Sequence, residues 1–317
     1  MISDPVPPDA PLAIAPGVAP VRTRVIGVLL VFVSGVAFST KAVLVKLAYR
    51  HGADAVSLLA LRFGFAAPFF GLGAGFGGKR KVQLTRRDGF VIVLLGVLGY
   101  YAASLCDFIG LRYISAGLER LILFIYPTLV VLVEAWLFKV RLGVRKISAL
   151  LITYLGIALA FHGELGNYGS DVPRGAAWVF GCVLAYALYL LGAGRMVPKL
   201  GSQRFTSLAL LAATGAVLVH ARIAGAKILG LSASVYGIGL IMALVATVAP
   251  AFLLARGIAL IGSGPAAIVS TVGPVSTILL AYFWLGEPIS GAVLLGTAFV
   301  VLGATLVALG GGRATRA

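Results

Sequence analysis

Long apolar runs alternate with short polar breaks along almost the whole chain. A helix that crosses a bilayer needs roughly 20 apolar residues, and most of the runs reach that length. The pattern predicts an all-α integral membrane protein with ten transmembrane helices, at 25–47, 55–77, 89–111, 115–137, 147–162, 175–196, 204–224, 235–256, 264–285 and 289–310.

Composition supports the same fold class. Of the 317 residues, 60% are hydrophobic and only 11% are charged, whereas a soluble domain carries about 25% charged residues. A water-soluble globular enzyme is therefore excluded, and the spans leave no room for a sizeable extramembrane domain. Residues 1–23, rich in proline, are predicted to form a disordered cytoplasmic tail, and residues 311–317 a second cytoplasmic tail.

The charge distribution predicts the topology. Lys and Arg number 26 against 10 Asp and Glu, and most of the basic residues lie in alternate breaks, as the positive-inside rule requires of cytoplasmic loops. We therefore expect a multi-pass protein of the inner membrane with both termini in the cytoplasm, a lipid bilayer as its surroundings and no nucleic-acid partner. The basic residues that fall inside predicted spans are Lys41, Arg62 and Arg120.

An internal repeat appears when the sequence is compared with itself at an offset of 147 residues. The matches that carry weight are between glycines and prolines: Gly110 with Gly257, Gly117 with Gly264, Pro127 with Pro274, and Gly156 with Gly303. This offset places spans three to five on spans eight to ten.

A repeat of five spans contains an odd number, so the second copy must enter the membrane upside down. We predict two inverted five-helix repeats, at 24–162 and 175–310, joined by a connecting loop at 163–174. Inverted repeats that hold substrate at their interface are common in secondary transporters.

The same residues carry a resemblance to a known family. Pro127 and Pro274 lie within spans four and nine, and span nine ends in Leu285-Gly286-Glu287. This resembles EamA-type members of the drug/metabolite transporter superfamily, and most of all the YddG-like amino-acid exporters. The resemblance implies ten helices, a five-plus-five inverted repeat and export of metabolites. In the first repeat Val140 stands where the family's glutamate is expected, a difference we interpret as one of helix termination.

Polar side chains at membrane depth are costly and usually face a bundle interior or a water-filled cavity. On that basis the candidate substrate-binding residues are Ser34, Lys41, Arg62, Tyr100, Asp107, Tyr126, Trp178, Tyr186 and Thr271. Each has a structural alternative. Lys41 and Arg62 either bind a substrate carboxylate or have a structural role, in which they extend toward the interface or pair with an acid. Trp178 is either a substrate contact or an interface anchor. The small polar residues either line a cavity or pack helices together.

Pro127 and Pro274 lack a backbone donor, so they are candidate hinges for alternating access or, alternatively, static kinks. No histidine pair has metal-ligand spacing and no phosphate-binding glycine loop is present. We therefore predict no metal, no cofactor and no catalytic residue.

The leading hypothesis is a secondary transporter that exports small metabolites, with amino acids as the first substrate class, by alternating access. One alternative is an exchanger of phosphorylated or nucleotide-linked sugars, which requires Lys41, Arg62 and Arg120 to converge on a phosphate. Alternatives of other classes are an intramembrane enzyme and a membrane scaffold or receptor. Proton coupling is left open by the sequence.

Overall fold

The computed structural model describes residues 21–76, 84–137 and 143–310, and these ranges form helices with no strand among them. The α-helices are α1 Val21–Arg50, α2 Ala55–Phe76, α3 Arg86–Gly96, α4 Ala103–Gly110, α5 Ala116–Leu123, α6 Tyr126–Leu137, α7 Val144–Tyr168, α8 Val172–Leu200, α9 Ser202–Ile223, α10 Ala233–Ala243, α11 Ala249–Ile261, α12 Ser263–Val269, α13 Val272–Leu285 and α14 Gly291–Gly310. The predicted all-α class is confirmed.

Within the described ranges, eight helical stretches are long and apolar enough to cross a membrane. The predicted spans at 115–137 and 289–310 are the ones not among them. The first corresponds to α5 and α6, and the second provides a shorter apolar stretch, Gly291–Leu306. The chain is a multi-pass membrane protein, as the hydropathy pattern predicts.

The connection between the predicted halves is shorter than the sequence suggests. Helix α7 continues to Tyr168, a single 3₁₀ turn covers Gly169–Asp171, and α8 begins at Val172. Gly169 ends α7 with a φ of 71°, a conformation in which glycine is favoured. Residues 163–168 and 172–174 are therefore helical rather than loop. Helix α1 begins at Val21, and the rest of the predicted tails, 1–20 and 311–317, lies outside the described residues.

The two prolines predicted as hinges follow breaks in their helices. Helix α5 ends at Leu123 and α6 begins at Tyr126, so Pro127 is in the first turn of α6. Pro274 is likewise in the first turn of α13, after the break that follows Val269. A proline in a first turn sacrifices no helical hydrogen bond, because the N–H there has no partner in any case.

Two π-helical turns also recur at the offset found in the sequence. One, Val97–Ala102, lies between α3 and α4, and the other, Leu244–Val248, lies between α10 and α11. A π-helical turn inside an α-helix leaves backbone groups imperfectly paired and is frequent at functional sites.

Helices α7 and α14 pack with their backbones in close contact. A Cβ on Gly156 would lie 2.5 Å from the carbonyl oxygen of Gly296, and one on Gly303 would lie 2.7 Å from that of Ala149. At the offset of the repeat, Gly156 corresponds to Gly303 and Ala149 to Gly296, so the contact is reciprocal. Small residues allow this close approach. In apolar lipid, helices associate through such van der Waals packing because the hydrophobic effect does not drive them together.

The two ends of the bundle are packed differently. We call the end where α1 finishes the Arg50 end, and the other the Val21 end. Near the Arg50 end, α5 packs on α13 and α1. Toward the Val21 end, the described part of α6 packs mainly on α8 and has little contact with α12.

Candidate functional site

A buried cluster of charge lies where α1, α4 and α5 meet. The ammonium Nζ of Lys41 is 2.6 Å from Asp107 Oδ2 and 3.0 Å from Glu119 Oε1. The Lys41 side chain is 14% exposed, whereas both carboxylates are buried. Charges at membrane depth require such partners, so the lysine holds three helices together through two charge-assisted hydrogen bonds.

Local sequence sets the position of Glu119. Ser115 caps α5, its hydroxyl accepting the backbone N–H of Leu118, and Glu119 follows in the first turn. A carboxylate there is favoured by the positive end of the helix dipole. Asp107 is presented by α4, directly after the π-helical turn.

Arg120 lies beside this cluster and has one unsatisfied donor. Its buried Nε has no hydrogen-bond partner, and the guanidinium lies close to both Glu119 and Tyr126. A Cβ on Gly273 would be 2.8 Å from Arg120 Nη2, so the missing side chain at that glycine makes room for the guanidinium. A buried N–H donor without a partner is costly, and an acceptor group on a ligand would satisfy it.

Arg62 is occupied by protein groups. Its Nε donates to Thr247 Oγ1 at 2.8 Å, its Nη1 is 3.5 Å from Ser104 Oγ, and its guanidinium lies 5.2 Å from the centre of the Phe63 ring. Thr247 belongs to the second π-helical turn and in turn donates to Met242 O. Arg62 therefore ties α2 to the second half of the chain.

Tyr186 and Tyr189 of α8 form an aromatic wall, with Tyr100 and Tyr126 beside it. The hydroxyls of Tyr100 and Tyr189 are 2.9 Å apart, Tyr186 stacks on Tyr189 at 5.7 Å, and Tyr126 meets Tyr186 edge to face at 5.2 Å. Cys182, one turn before Tyr186, lies close to Lys41 and its carboxylates. The aromatic wall and the charged cluster are therefore neighbours.

The remaining candidates from the sequence lie elsewhere. Ser34 donates to the carbonyl oxygen of Pro250 at 2.8 Å, and Thr271 to that of Ile268 at 2.7 Å, so both hydroxyls serve backbone groups. Trp178 is 39% exposed and makes none of the ring contacts found in the described part of the chain. The structure brings Lys41, Asp107, Tyr100, Tyr126 and Tyr186 together, and Arg62 near them.

The Arg50 end is held by ionic contacts. Glu287 pairs with Lys46 at 2.5 Å and accepts the backbone N–H of Ala116 at 2.9 Å, and Arg50 donates to Leu285 O at 2.6 Å. These contacts border a cavity of about 580 Å³ that opens at this end. Glu287 therefore joins α1 and α5 to the end of α13.

Sequence reasoning missed three residues of the site. None of Glu119, Arg120 and Tyr189 is among the substrate-binding candidates that the sequence suggests. A usable signal was the depth of Lys41, since a lysine that deep requires a carboxylate on another span.

The buried charges all come from the first half of the chain. At the offset of 147 residues, the counterparts of Asp107, Glu119 and Arg120 are Leu254, Ala266 and Ala267. The second half contributes Thr247, Gly273 and the tyrosines of α8 instead. Within the described ranges, no group of three or more His, Cys, Asp or Glu is arranged to hold a metal ion.

A multi-pass helical bundle with broken helices around a buried, partly uncompensated polar centre is the architecture of a membrane transporter. The profile of the EamA-like transporter family matches residues 25–162 and again residues 173–309. The chain belongs to that family, which confirms the resemblance to EamA-type transporters.

Individual relatives agree with this assignment. The chain is 30% identical over 278 residues to a protein named uncharacterized transporter YcbK from Bacillus subtilis, covering 84% of this chain and 88% of that one. It is 24% identical to the uncharacterized inner membrane transporter YicL from Salmonella typhimurium, over 75% and 79% of the two chains. A crystal structure aligns with 92% of this chain and 99% of its own, with a TM-score of 0.62 and 19% identity, which shows the fold alone.

Proposed function

We propose that this membrane transporter exports small metabolites, with amino acids as the first substrate class, across the inner membrane. The observation that carries the proposal is the unsatisfied Nε donor of Arg120 beside the Lys41, Asp107 and Glu119 cluster. A site with both an available cation and two carboxylates suits a zwitterion. Its carboxylate would bind Arg120, and its ammonium would meet the acidic side chains.

The neighbouring tyrosines fit the rest of such a substrate. Tyr126 and Tyr186 present rings with both apolar and polar surface. Tyr126 lies near Arg120 and meets the Tyr186 ring of α8 edge to face. An apolar amino-acid side chain would pack there while its charged groups remain at the cluster.

Alternating access between two inverted five-helix repeats is the mechanism we propose. It is supported by the double match of the family profile, by the π-helical turns and helix breaks that recur at one offset, and by the reciprocal α7–α14 contact.

A phosphorylated sugar is less well suited to the site. Such a substrate needs several cations that are free to bind phosphate. Lys41 instead contacts two carboxylates, and Arg62 donates to Thr247 and contacts two aromatic rings. Two fixed carboxylates beside Arg120 would also repel a phosphate.

Counterflow in liposomes tests the proposal. Vesicles loaded with unlabelled amino acids are challenged with labelled Thr, Met, Phe and Trp, using the wild type, Arg120→Gln and the matched control Arg174→Gln. Arg174 lies over the Tyr113 ring and outside the cluster. We expect label to accumulate with the wild type and the control but not with Arg120→Gln. If folded wild-type protein moves none of the four, the amino-acid assignment is wrong, and competition by inorganic phosphate becomes the next assay.

A further inference from the structure

The cavity of about 580 Å³ at the Arg50 end has a positively charged wall that is separate from the Lys41 cluster. Three of its lining residues are basic, Lys46, Arg50 and Arg112, and one is acidic, Glu287. Lys46 pairs with Glu287, whose second carboxylate oxygen accepts the backbone N–H of Ala116. These two charges balance each other, and the charges of the two arginines remain.

Both arginines retain donors for a ligand. In the part of the chain that the structure describes, neither has a carboxylate oxygen within 4 Å. Arg50 donates from Nη2 to the carbonyl oxygen of Leu285 at 2.6 Å, and Arg112 holds its guanidinium 5.2 Å from the centre of the Tyr49 ring. A guanidinium has five N–H donors, so most of the donors on both side chains are available.

The contacts of the two arginines also hold them in position. The hydroxyl of Tyr49 donates to the carbonyl oxygen of Phe108 at 2.6 Å, which fixes the ring beneath Arg112. Arg50 directly follows Tyr49 in α1 and is tied to the end of α13 through Leu285. The two guanidinium groups are therefore placed on one wall before any ligand binds, which lowers the entropy that binding costs.

The local charge favours an anion that carries a single charge. Asp54 attracts Arg112 without forming an ion pair with it, while its oxygens accept the backbone N–H groups of Val56 and Ser57 at the start of α2. Two arginines and one aspartate leave one positive charge. A phosphodiester carries one negative charge, and arginine binds phosphate oxygens through pairs of parallel N–H groups.

The position of the cavity fits a phospholipid headgroup. Arg50 ends the membrane-crossing stretch Val21–Arg50, and Arg112 follows closely after the stretch Arg86–Gly110. Both side chains are exposed, so they lie where a bilayer presents its headgroups, and basic groups at that level attract anionic lipids. The cavity also has an apolar lining, formed by Ala53, Leu111, Leu285 and Pro288.

We propose that this cavity binds the phosphodiester headgroup of an anionic phospholipid between Arg50 and Arg112. Free phosphate offers similar oxygens, but it has no part that would contact the apolar lining. A headgroup held here links the end of α1 to the segment between α4 and α5, beside the contacts of Glu287. It therefore stabilises the arrangement of helices described here, whichever substrate is transported.

Binding of short-chain phosphatidylglycerol to the purified full-length protein in detergent tests the site. The variants are Arg112→Gln, Arg50→Gln, whose amide can still donate to the Leu285 carbonyl, and the matched control Arg174→Gln. Arg174 lies 4.7 Å from the centre of the Tyr113 ring and is not among the residues that line the cavity. Thermal unfolding without lipid verifies that each protein is folded.

We expect saturable binding to the wild type and to Arg174→Gln. Binding to Arg112→Gln and to Arg50→Gln should be about tenfold weaker, as the loss of one charge-assisted hydrogen bond implies. Equal affinity for the wild type and Arg112→Gln, or no binding to the folded wild type, overturns the proposal.

Two competitors identify the source of the phosphate group. Inorganic phosphate has the charge without acyl chains, and short-chain diacylglycerol has the chains without charge. At concentrations equal to that of the lipid, we expect neither to displace it. Displacement by inorganic phosphate would overturn the lipid assignment in favour of free phosphate, and displacement by diacylglycerol would show a purely apolar groove and overturn the anion site.

Hydrogen exchange in nanodiscs tests the effect on the helices. Peptides covering 47–53 and 111–116 should exchange more slowly in phosphatidylglycerol than in phosphatidylcholine for the wild type and for Arg174→Gln. The two lipids should give equal exchange in Arg112→Gln. Equal exchange in the wild type would overturn the stabilising role of the headgroup.

Discussion

Glu287 accepts a hydrogen bond from the backbone N–H of Ala116, across 171 residues of sequence. The glutamate follows the end of α13, and the alanine is the first residue of α5. Because Glu287 also pairs with Lys46 on α1, one carboxylate fastens three helices at the Arg50 end. In an alternating-access cycle, opening of this end requires these contacts to break.

Glu287→Ala should loosen the start of α5. A hydrogen bond to a charged group contributes roughly 1.5–3 kcal/mol, so amide exchange in the first turn of α5 should accelerate by about tenfold or more. Hydrogen exchange with mass spectrometry on peptides spanning 111–123 measures this. Asp88→Asn, at the Val21 end, serves as the control and should leave these peptides unchanged. Equal protection in Glu287→Ala and wild type would contradict the assignment.

Lys41→Met should destabilise the protein strongly, since two buried carboxylates then lose their ammonium. Removing one partner from a buried ion pair costs about 3–5 kcal/mol. The triple variant Lys41→Met, Asp107→Asn, Glu119→Gln removes all three charges and should recover part of the loss. Thermal unfolding in detergent compares the two. A triple variant no more stable than Lys41→Met would show that the charges are not coupled as the distances indicate.

Gly156→Ala should weaken the α7–α14 contact. The added methyl group meets the backbone carbonyl of Gly296, which cannot turn away as a side chain can, and overpacking of this kind costs about 1–3 kcal/mol. Gly71→Ala on α2 is the control, because nothing lies within 4 Å of the position a Cβ would take there. The unfolding midpoint of Gly156→Ala should fall well below that of Gly71→Ala, and similar midpoints would refute the close approach.

Tyr186→Ala should reduce transport more than Trp178→Ala does. Tyr186 contacts two other tyrosines beside Arg120, whereas Trp178 on the same helix is exposed and makes no ring contact in the described structure. Initial rates of counterflow with labelled Phe separate the two, with a loss of about tenfold expected for Tyr186→Ala. A larger loss for Trp178→Ala would place the substrate away from the tyrosines.

Hydropathy predicted the helices better than their interruptions. Apolar periodicity located the membrane-crossing segments, because each one must satisfy its own backbone in lipid. It did not locate the break between Leu123 and Tyr126, since both sides are equally apolar. Pro127 marked the region, but the interruption comes before it, at Phe124 and Ile125.

The candidate site was only partly accessible from the sequence. Lys41, Asp107 and the tyrosines were found because polar groups are conspicuous in apolar segments. Glu119 and Arg120 open the predicted helix of span four, where gate pairing or solvation at the membrane interface explains them, and Arg120 was considered in addition as a phosphate ligand. Which face of α5 turns inward depends on how α5 packs against α1 and α13, and no local pattern contains that information.

The concentration of charge in one half of the chain has a consequence for how the two halves evolve. The first half supplies the ionic chemistry through Lys41, Asp107 and Glu119, while the second supplies shape through positions such as Gly273. If both copies of a duplicated half had kept all three charges, two such clusters would share a single apolar centre. Specialisation of the copies avoids that crowding, and it means that neither half alone contains all the groups that surround the buried charges.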